Sequence, residues 1–369
     1  MRIIVKLLKK IIKYGSLLIS VYYLTSLAYQ FMNKNNANRS KSRNNNLVKD
    51  VDYDQEPRIN ACLFILIRNK ELKSWTRTMK QFEKNFNSKY NYPYIFMNDV
   101  EFSDTFKKTV LGLTKSKVEF GLIPREHWSI PKWIDQDDLR KKLQSSLGHM
   151  FRGTMMSYHH MCRYYSGFFF RHNLTLKYDY FWRIEPGVSF PCEINYDPFQ
   201  TLVKNDKLYG FSIARPEMMD TIPSLWSTIH KWLDTGYKKY IPKNNAIDFI
   251  SSDKGKSLNK KACTFFNNFE IGAFSVFRDP KYMNYFEYLD RSGGFFYERW
   301  GDSAINTFYL VMMLEKDQIH FYDDIAYFHP PRYYCPAVVP DKCSCKLNKV
   351  KTSSYKRCFD KWNSITRKN

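Results

Sequence analysis

Short apolar runs alternate with a helical pattern at the start of the folded part of the chain. The run ACLFILI at 61–67 contains no polar residue, which is typical of a strand covered on both faces. The next segment carries apolar residues at intervals of three and four, which predicts one buried helix face: Leu72, Trp75, Met79, Phe82 and Phe86. A second apolar run, YPYIFMND at 92–99, completes a β-α-β unit. This order favours an α/β fold with parallel strands.

A further aromatic run, YDYFWRI at 178–184, predicts another strand of the same sheet. Arg68 follows the first strand, and Arg183 and Glu185 lie at the end of this later one. Because ligands of open parallel sheets bind beyond the carboxyl ends of the strands, these are candidate binding residues. The sequence contains no GxGxxG and no GxxxxGK[ST] motif, which disfavours a Rossmann dehydrogenase and a P-loop nucleotidase.

The pattern before residue 58 differs from that of the folded part. Residues 1–13 hold five Lys or Arg, and residues 14–32 carry no charge. Nineteen such residues just span a hydrocarbon core of about 30 Å, which predicts a signal-anchor helix with a cytoplasmic tail before it; a cleaved signal peptide is the alternative. Residues 33–57 are polar and Asn-rich, which predicts a stem, and residues 58–369 are then a lumenal domain.

Composition and charge narrow the class of partner. The chain has 369 residues, 44% of them hydrophobic, and a net charge of +22. That charge fits nucleic acid, an anionic membrane or a phosphorylated small molecule, but there is no arginine-rich helix, zinc-finger spacing or aromatic RNA-binding motif, so nucleic acid is disfavoured. The aromatic share of 17% suits surfaces that stack on sugar rings, and equally an aromatic core.

The cysteines and glycosylation sequons agree with an oxidising lumen. Eight cysteines occur without a CxxC motif, and sequons stand at Asn38 and Asn173. We expect the cysteines to form disulfides, above all the four between Cys335 and Cys358, although the sequence does not pair them.

Two carboxylates stand at positions suited to chemistry. Glu185 ends a predicted strand and is followed by Pro186 and Gly187, so it could ligate a hard divalent cation; a structural ion pair with Arg183 explains it equally well. Glu270 lies between apolar residues in NNFEIGAF. A buried lone carboxylate is costly unless paired, which points either to function or to a satisfied core residue.

Three further segments carry polar groups with two interpretations each. His329 precedes two prolines and could offer a neutral nitrogen to manganese, or be structural. Tyr158 and Arg163 lie in MMSYHHMCRYY, a basic aromatic patch for a diphosphate or sugar, or a helix with one buried stripe. Asp302 ends the charged loop LDRSGGFFYERWGD, which fits a ligand contact or structural ion pairing.

Taken together, these segments resemble one family. The fungal α-1,2-mannosyltransferases of glycosyltransferase family 15 share six blocks in this order: IPREHWSIPKWID, YHHMCRYYSGFFFRH, YDYFWRIEPGVSFPCEINYD, NNFEIGAFSVFR, YLDRSGGFFYERWGD and YFHPP. The resemblance spans about Cys62 to Tyr334. It implies a Golgi type II membrane enzyme whose lumenal catalytic domain has a GT-A-like α/β fold with a mixed, mostly parallel central sheet. It further implies transfer of mannose from GDP-mannose to a mannosylated glycan acceptor, with retention of the α configuration and with Mn²⁺.

The same resemblance assigns roles by position. Glu185 and His329 match the metal ligands, Glu270 the proposed nucleophile, and Tyr158 a tyrosine near the donor and acceptor sugars. Residue chemistry adds donor contacts for phosphate or nucleotide: Arg68, Arg163, Arg183 and Asp302. Retention requires either two displacements through a glycosyl-enzyme or a front-face attack, and the sequence leaves both open.

Two alternatives share the compartment. One is an inactive, membrane-tethered relative that acts as a scaffold, and the other is a mannosylphosphate transferase, which would release GMP instead of GDP. Gly187 and the segment PCEINYDPF depart from the pattern of many members without removing a named group, which bears on the choice of acceptor. The acceptor itself, O-linked, N-linked or lipid-linked, is left open.

Overall fold

The structure, a computed structural model, describes residues 57–336, 343–345 and 353–366. The predicted cytoplasmic tail (1–13), the anchor (14–32) and nearly all of the stem (33–57) lie outside these residues and stay predictions. Across the described ranges, no helix has the length and apolar character needed to cross a membrane. The described residues from Arg58 onward form one compact unit.

A seven-stranded mixed sheet forms the centre of this unit. The strands of the described residues are β1 (Ala61–Leu66), β2 (Tyr94–Asn98), β3 (Val118–Leu122), β4 (Tyr180–Arg183), β5 (Tyr209–Phe211), β6 (Ala214–Pro216), β7 (Cys263–Phe265), β8 (Glu270–Ala273), β9 (Ile319–Phe321), β10 (Tyr327–His329) and β11 (Arg332–Tyr334). The sheet order is β3-β2-β1-β4-β8-β5-β9, and only the two pairings of β8 are antiparallel. The predicted mixed, mostly parallel sheet is confirmed. Strands β6 with β7, and β10 with β11, form separate antiparallel pairs.

Helices connect and cover these strands. They are α1 (Leu72–Phe82), α2 (Ser88–Tyr90), α3 (Asp104–Leu111), α4 (Gln136–Gln144), α5 (Met156–Gly167), α6 (Pro198–Lys204), α7 (Leu225–Trp232), α8 (Phe274–Arg278), α9 (Pro280–Arg291), α10 (Gly294–Tyr297), α11 (Asp302–Met313) and α12 (Ser353–Thr366). Two π-helical turns, Glu83–Asn87 and Leu233–Tyr237, extend α1 and α7.

Strand β1 shows why its sequence is uniformly apolar. Cys62 and Phe64 belong to one hydrophobic core, whereas Leu63 and Ile65 belong to the other, together with Trp75 of α1. Successive side chains of a strand point to opposite faces, so a strand between two cores needs apolar residues at every position. The prediction of a strand covered on both faces is confirmed.

Strand β4 lies at the junction of the two halves of the sheet. It is parallel to β1 and antiparallel to β8, and Arg183 at its end pairs in register with Glu270. The chain then turns at Gly187, whose φ of +84° favours glycine. The Gly187 amide donates to the hydroxyl of Thr78 in α1, and that hydroxyl donates to the Val188 carbonyl, which fixes the turn against the helix.

The cysteines pair only in part as expected. Three disulfides form, Cys192–Cys343, Cys263–Cys358 and Cys335–Cys345, so only one bond lies within the group from 335 to 358. Cys62 and Cys162 are free, and the prediction that all eight form disulfides is wrong for these two. Both are buried in the hydrophobic core, where desolvation raises the pKa of each thiol. They act there as small apolar side chains.

We predict that Gly167→Ala destabilises the protein, because Gly167 allows α5 to pack closely on α9. A Cβ atom at this position would lie 2.0 Å from Cζ of Phe286. Such overpacking lowers the free energy of unfolding by about 1–3 kcal/mol. Denaturant unfolding followed by tryptophan fluorescence measures the loss. Gly112→Ala is the matched control, since its Cβ would meet only carbonyl oxygens at 3.5 and 3.6 Å. Equal midpoints for the two variants would contradict the packing argument.

Candidate active site

A cleft of about 610 Å³ opens beyond the carboxyl end of β4. The structure brings six of the eight predicted site residues together in its wall: Arg68, Tyr158, Arg183, Glu185, Asp302 and His329. They come from strand ends, helices and loops that are far apart in sequence. The position agrees with the rule that open α/β sheets bind ligands at the carboxyl ends of their strands.

One buried guanidinium connects three carboxylates in this cleft. Arg183 Nη1 lies 2.7 Å from Asp302 Oδ2 and 3.4 Å from Glu270 Oε1. Arg183 Nη2 lies 2.5 Å from Glu185 Oε1. The ring of Tyr165 covers the guanidinium, with its centroid 3.4 Å from Cζ. The β4–β8 register supplies Glu270, the following turn supplies Glu185, and the first residue of α11 supplies Asp302.

This cluster has three carboxyl groups and one guanidinium, and Glu185 is the most exposed of its acids. The side chain of Glu185 is 19% exposed, against 6% for Asp302 and 0% for Glu270. Glu185 Oε2 lies 3.5 Å from His329 Nε2 on β10. A carboxylate oxygen and an imidazole nitrogen at this separation could both ligate one divalent transition metal, whose charge would balance the surplus acid.

The same guanidinium leaves two of the carboxyl groups in different protonation states. Burial alone would raise the pKa of Glu185, but Arg183 and His329 outweigh it and lower the pKa to about 2. Burial dominates at Glu270 and, with Asp302, raises its pKa to about 7, because Arg183 and Tyr209 offset only part of the effect. Near neutral pH, Glu185 is therefore an anion, whereas Glu270 is close to half protonated.

Glu270 stands behind the cleft wall. Its side chain is 0% exposed, Arg183 lies between it and Glu185, and the Tyr209 hydroxyl donates to its Oε2 at 3.0 Å. The structure thus brings Glu270 to the cluster but gives its carboxyl group no open face toward a sugar.

Two neighbouring asparagines complete the cluster. The Asn267 side-chain amide donates to Asp302 Oδ2 at 2.8 Å, and that of Asn268 donates to Glu185 Oε2. The sequence analysis assigned them no role. A possible signal was present, since two amides between buried aromatic residues need polar partners.

Further arginines line the cleft beside Tyr158. Arg299 Nη1 donates to the Tyr158 hydroxyl at 3.1 Å, and the guanidinium of Arg152 lies 5.2 Å from the centre of its ring. Arg215 and Arg332 both stack on Phe266, at 5.5 and 4.9 Å. Sequence reasoning missed Arg152, Arg215 and Arg332 because isolated arginines in unrelated segments carry no pattern. Arg68, which was predicted, also lines the cleft and pairs with Glu71 at 3.2 Å.

Arg163 lies elsewhere. It is 3% exposed and forms a two-pronged ion pair with Asp290, at 2.7 and 2.8 Å, while its Nη1 donates to the Glu126 carbonyl. These residues line a different cavity, so the structure does not bring Arg163 to the predicted donor site.

Comparison with known proteins identifies the family of this chain. A family model described as glycolipid 2-alpha-mannosyltransferase matches residues 20–367. Alpha-1,2 mannosyltransferase KTR1 of Saccharomyces cerevisiae is 41% identical over 84% of this chain and 80% of its own length. O-glycoside alpha-1,2-mannosyltransferase omh1 of Schizosaccharomyces pombe is 41% identical over 83% and 78%. The chain belongs to this mannosyltransferase family.

Solved structures agree with the family assignment. Core-mannan synthase A (CmsA/Ktr4) from Aspergillus fumigatus, in its Mn/GDP form, matches with a TM-score of 0.78 at 35% identity over 84% of this chain and 86% of that one. The mannosyltransferase Ktr4p of Saccharomyces cerevisiae in complex with GDP matches with a TM-score of 0.79 at 32% identity, over 87% and 84%. The predicted GT-A-like fold and the predicted family are confirmed.

We predict that Glu270→Gln changes how stability depends on pH. Because the pKa of Glu270 is raised in the folded protein, its contribution to the free energy of unfolding is fully present below its ordinary pKa of 4.5. This contribution is lost as the pH rises through about 7. This loss amounts to about 3 kcal/mol in the wild type, and the amide variant avoids it. Urea unfolding at pH 4.5 and at pH 8 measures the free energy of unfolding of both proteins. From the lower to the higher pH, the stability of Glu270→Gln relative to wild type should increase by that amount. Exposed Glu101→Gln is the control; parallel pH profiles for wild type and Glu270→Gln would refute the assignment.

Proposed function

We propose that this protein is a retaining α-1,2-mannosyltransferase that moves mannose from GDP-mannose to a mannose residue of a glycan acceptor. The observation that carries the proposal is the Glu185–His329 pair, which faces a cleft of about 610 Å³ from the acidic cluster around Arg183. The family and the Mn/GDP form of a related structure support the same donor and metal.

Glu185 and His329 would hold the Mn²⁺ ion. The fit rests on the donor set, one anionic oxygen and one imidazole nitrogen in the cleft wall, and on the three carboxyl groups that share the single guanidinium of Arg183. When bound, the ion supplies charge neutralisation for a leaving diphosphate. Asn268 orients Glu185 by donating to the same Oε2 atom that lies nearest His329, and Arg183 keeps the carboxyl group ionised.

The arginines of the cleft would bind the donor and orient the sugars. Arg152, Arg215, Arg299 and Arg332 line it together with Arg68, and guanidinium groups suit phosphate oxygens. Tyr158 also lines the cleft, where its hydroxyl accepts from Arg299 and its ring lies beside the guanidinium groups of Arg152 and Arg299. The predicted donor contacts of Arg183 and Asp302 would be indirect, since these side chains mainly hold each other and Glu185 in place.

Burial of Glu270 favours front-face attack over a double displacement. A nucleophile must reach the anomeric carbon, whereas this carboxyl group is enclosed by Arg183 and Tyr209. In our proposal, Glu270 positions Arg183 and so tunes the charge of the wall next to the departing diphosphate. The acceptor hydroxyl would then attack the anomeric carbon from the side that the diphosphate leaves and pass its proton to the departing diphosphate oxygen. The bond from the anomeric carbon to that oxygen breaks as the new glycosidic bond forms, which retains the α configuration.

The compartment follows from the family and the disulfides. Three disulfides among the described residues fit an enzyme of the secretory pathway. A Golgi membrane location, with a single N-terminal anchor and a lumenal catalytic domain from residue 58 to residue 369, remains our proposal and rests on the uncharged segment 14–32.

We predict that Glu185→Gln and His329→Ala each lower kcat/KM by at least about 100-fold, because each removes one metal ligand. The assay incubates the protein with GDP-mannose, Mn²⁺ and methyl α-mannoside, and identifies both the linkage and the nucleotide. An α-1,2 product with GDP supports the proposal. Release of GMP would indicate a mannosylphosphate transferase. A protein that neither binds nor turns over GDP-mannose would indicate the inactive scaffold. Full activity of either variant would exclude the metal assignment. Glu101→Gln, at an exposed position outside the cleft lining, serves as control.

A second prediction separates the two retaining mechanisms. Glu270→Gln keeps an acceptor for Tyr209 and Arg183, so front-face attack predicts a loss of kcat of no more than about 10²-fold. Removal of a covalent nucleophile costs about 10⁵-fold or more. Intact-mass analysis of wild type mixed with GDP-mannose, without acceptor, should show no mannosyl adduct. A trapped adduct at Glu270 would establish the double displacement instead.

A further inference from the structure

A second cavity, of about 430 Å³, lies on another side of helix α5 from the cleft. Tyr158 lines the cleft and Arg163 lines this cavity, and they are five residues apart on the helix. Residues at that spacing project about 140° apart. The two cavities therefore use different faces of one helix, and the known family assignment gives the second one no role.

An exposed, fixed tryptophan forms one wall of the second cavity. Trp133 is 49% exposed, unusually high for a tryptophan. Its indole Nε1 donates to the Asp290 carbonyl at 3.0 Å, which holds the ring in one orientation. The guanidinium groups of Arg163 and Arg291 lie 5.8 and 6.0 Å from its centre. The result is a flat apolar face bordered by hydrogen-bond donors.

The floor of this cavity is rigid and polar. The Arg163–Asp290 ion pair is buried on both sides, so it is already desolvated before any ligand arrives. The His127 ring stacks on Phe168, with centroids 4.2 Å apart. Its buried Nδ1 has no hydrogen-bond partner among the described residues. A buried polar atom without a partner is costly, and a ligand hydroxyl could satisfy it.

The charges around the second cavity nearly balance. Four cationic side chains line it, Lys132, Arg163, Arg171 and Arg291, with three acids, Glu126, Glu287 and Asp290. Such a wall offers donors and acceptors side by side. Hydroxyl groups both donate and accept, whereas a phosphate or a sulfated polymer needs a surplus of cations. Balanced charge with an exposed aromatic face fits a neutral sugar.

We propose that the Trp133 cavity is a second glycan-binding site, which holds a neutral mannose-containing oligosaccharide outside the catalytic cleft. The C–H face of a sugar would rest on the indole while its hydroxyls bond to Arg291 and Glu287, which line the same cavity. Identification of the ligand with the acceptor glycan rests on the proposed function. A site that retains one branch of a glycan raises the local concentration of another branch near the cleft.

The test measures binding of α-1,2-linked mannotriose to the full-length protein, in a detergent without a sugar head group, with EDTA and without GDP-mannose. Saturation-transfer NMR and calorimetry report the affinity. Trp133→Ala should weaken binding about tenfold, whereas Trp133→Phe, which keeps a ring, should stay within about threefold. Tyr240→Ala is the matched control, because Tyr240 is also 49% exposed and lies outside the cavity. His329→Ala, in the cleft, should leave this binding unchanged.

Kinetics give an independent readout. Trp133→Ala should raise KM for a branched high-mannose glycan about tenfold with kcat unchanged, and leave KM for methyl α-mannoside, which has no second branch, at the wild-type value. Lack of turnover with every acceptor would defeat the proposed function but not the binding result. Wild-type affinity in Trp133→Ala, or Trp133-dependent binding of inorganic phosphate in place of mannotriose, would overturn the proposal.

Discussion

The buried guanidinium of Arg183 is the interaction on which the active-site region depends. It is 2% exposed, and it contacts carboxylates from the turn after β4, from β8 and from α11. Each of these acids would cost several kcal/mol to bury in ionised form without a partner. Because the three come from segments that are up to 119 residues away from Arg183, one side chain joins the centre of the sheet to the helix behind it.

Glu185 and Glu270 contact the same arginine but have different environments. Glu185 meets Arg183 at the edge of the cleft, where it also faces His329 and stays ionised. Glu270 meets the same arginine from inside the sheet, where burial favours its neutral form. An acid that must ligate a cation needs the first environment, and an acid that only positions a neighbour tolerates the second. The roles that we propose for the two acids therefore follow from their positions relative to the cleft and not from residue type.

The sequence predicts the parts of this structure that follow from local pattern. The uniformly apolar run of β1 and the periodic face of α1 define the β-α-β unit, and Glu185 at the end of β4 could be placed because strand ends meet at one edge. The position of Arg163 could not be predicted, because its partner Asp290 is 127 residues away on α9 and no sequence pattern links the two residues. The free Cys62 and Cys162 were missed for a related reason, since pairing depends on which strand and helix each one occupies in the core. The hydrogen bonds of Asn267 and Asn268 could not be predicted either, because only the fold brings these amides to Asp302 and Glu185.

Several arginines of this basic protein lie against aromatic rings. Arg183 lies on Tyr165, Arg163 on Phe168 and Arg278 on Phe274, each within 5 Å of the ring centre. An aromatic ring compensates part of the desolvation of a guanidinium, so a protein rich in both can place arginines inside its fold. These three arginines hold carboxylates and carbonyls in position. The same pairing of rings with arginines forms the two cavities: Phe266 with Arg215 and Arg332 in the cleft, and Trp133 with Arg163 and Arg291 beyond α5. The cleft is lined by more arginines than acids, so it suits an anion. The Trp133 cavity is lined by nearly equal numbers of cations and acids, so it suits an uncharged sugar.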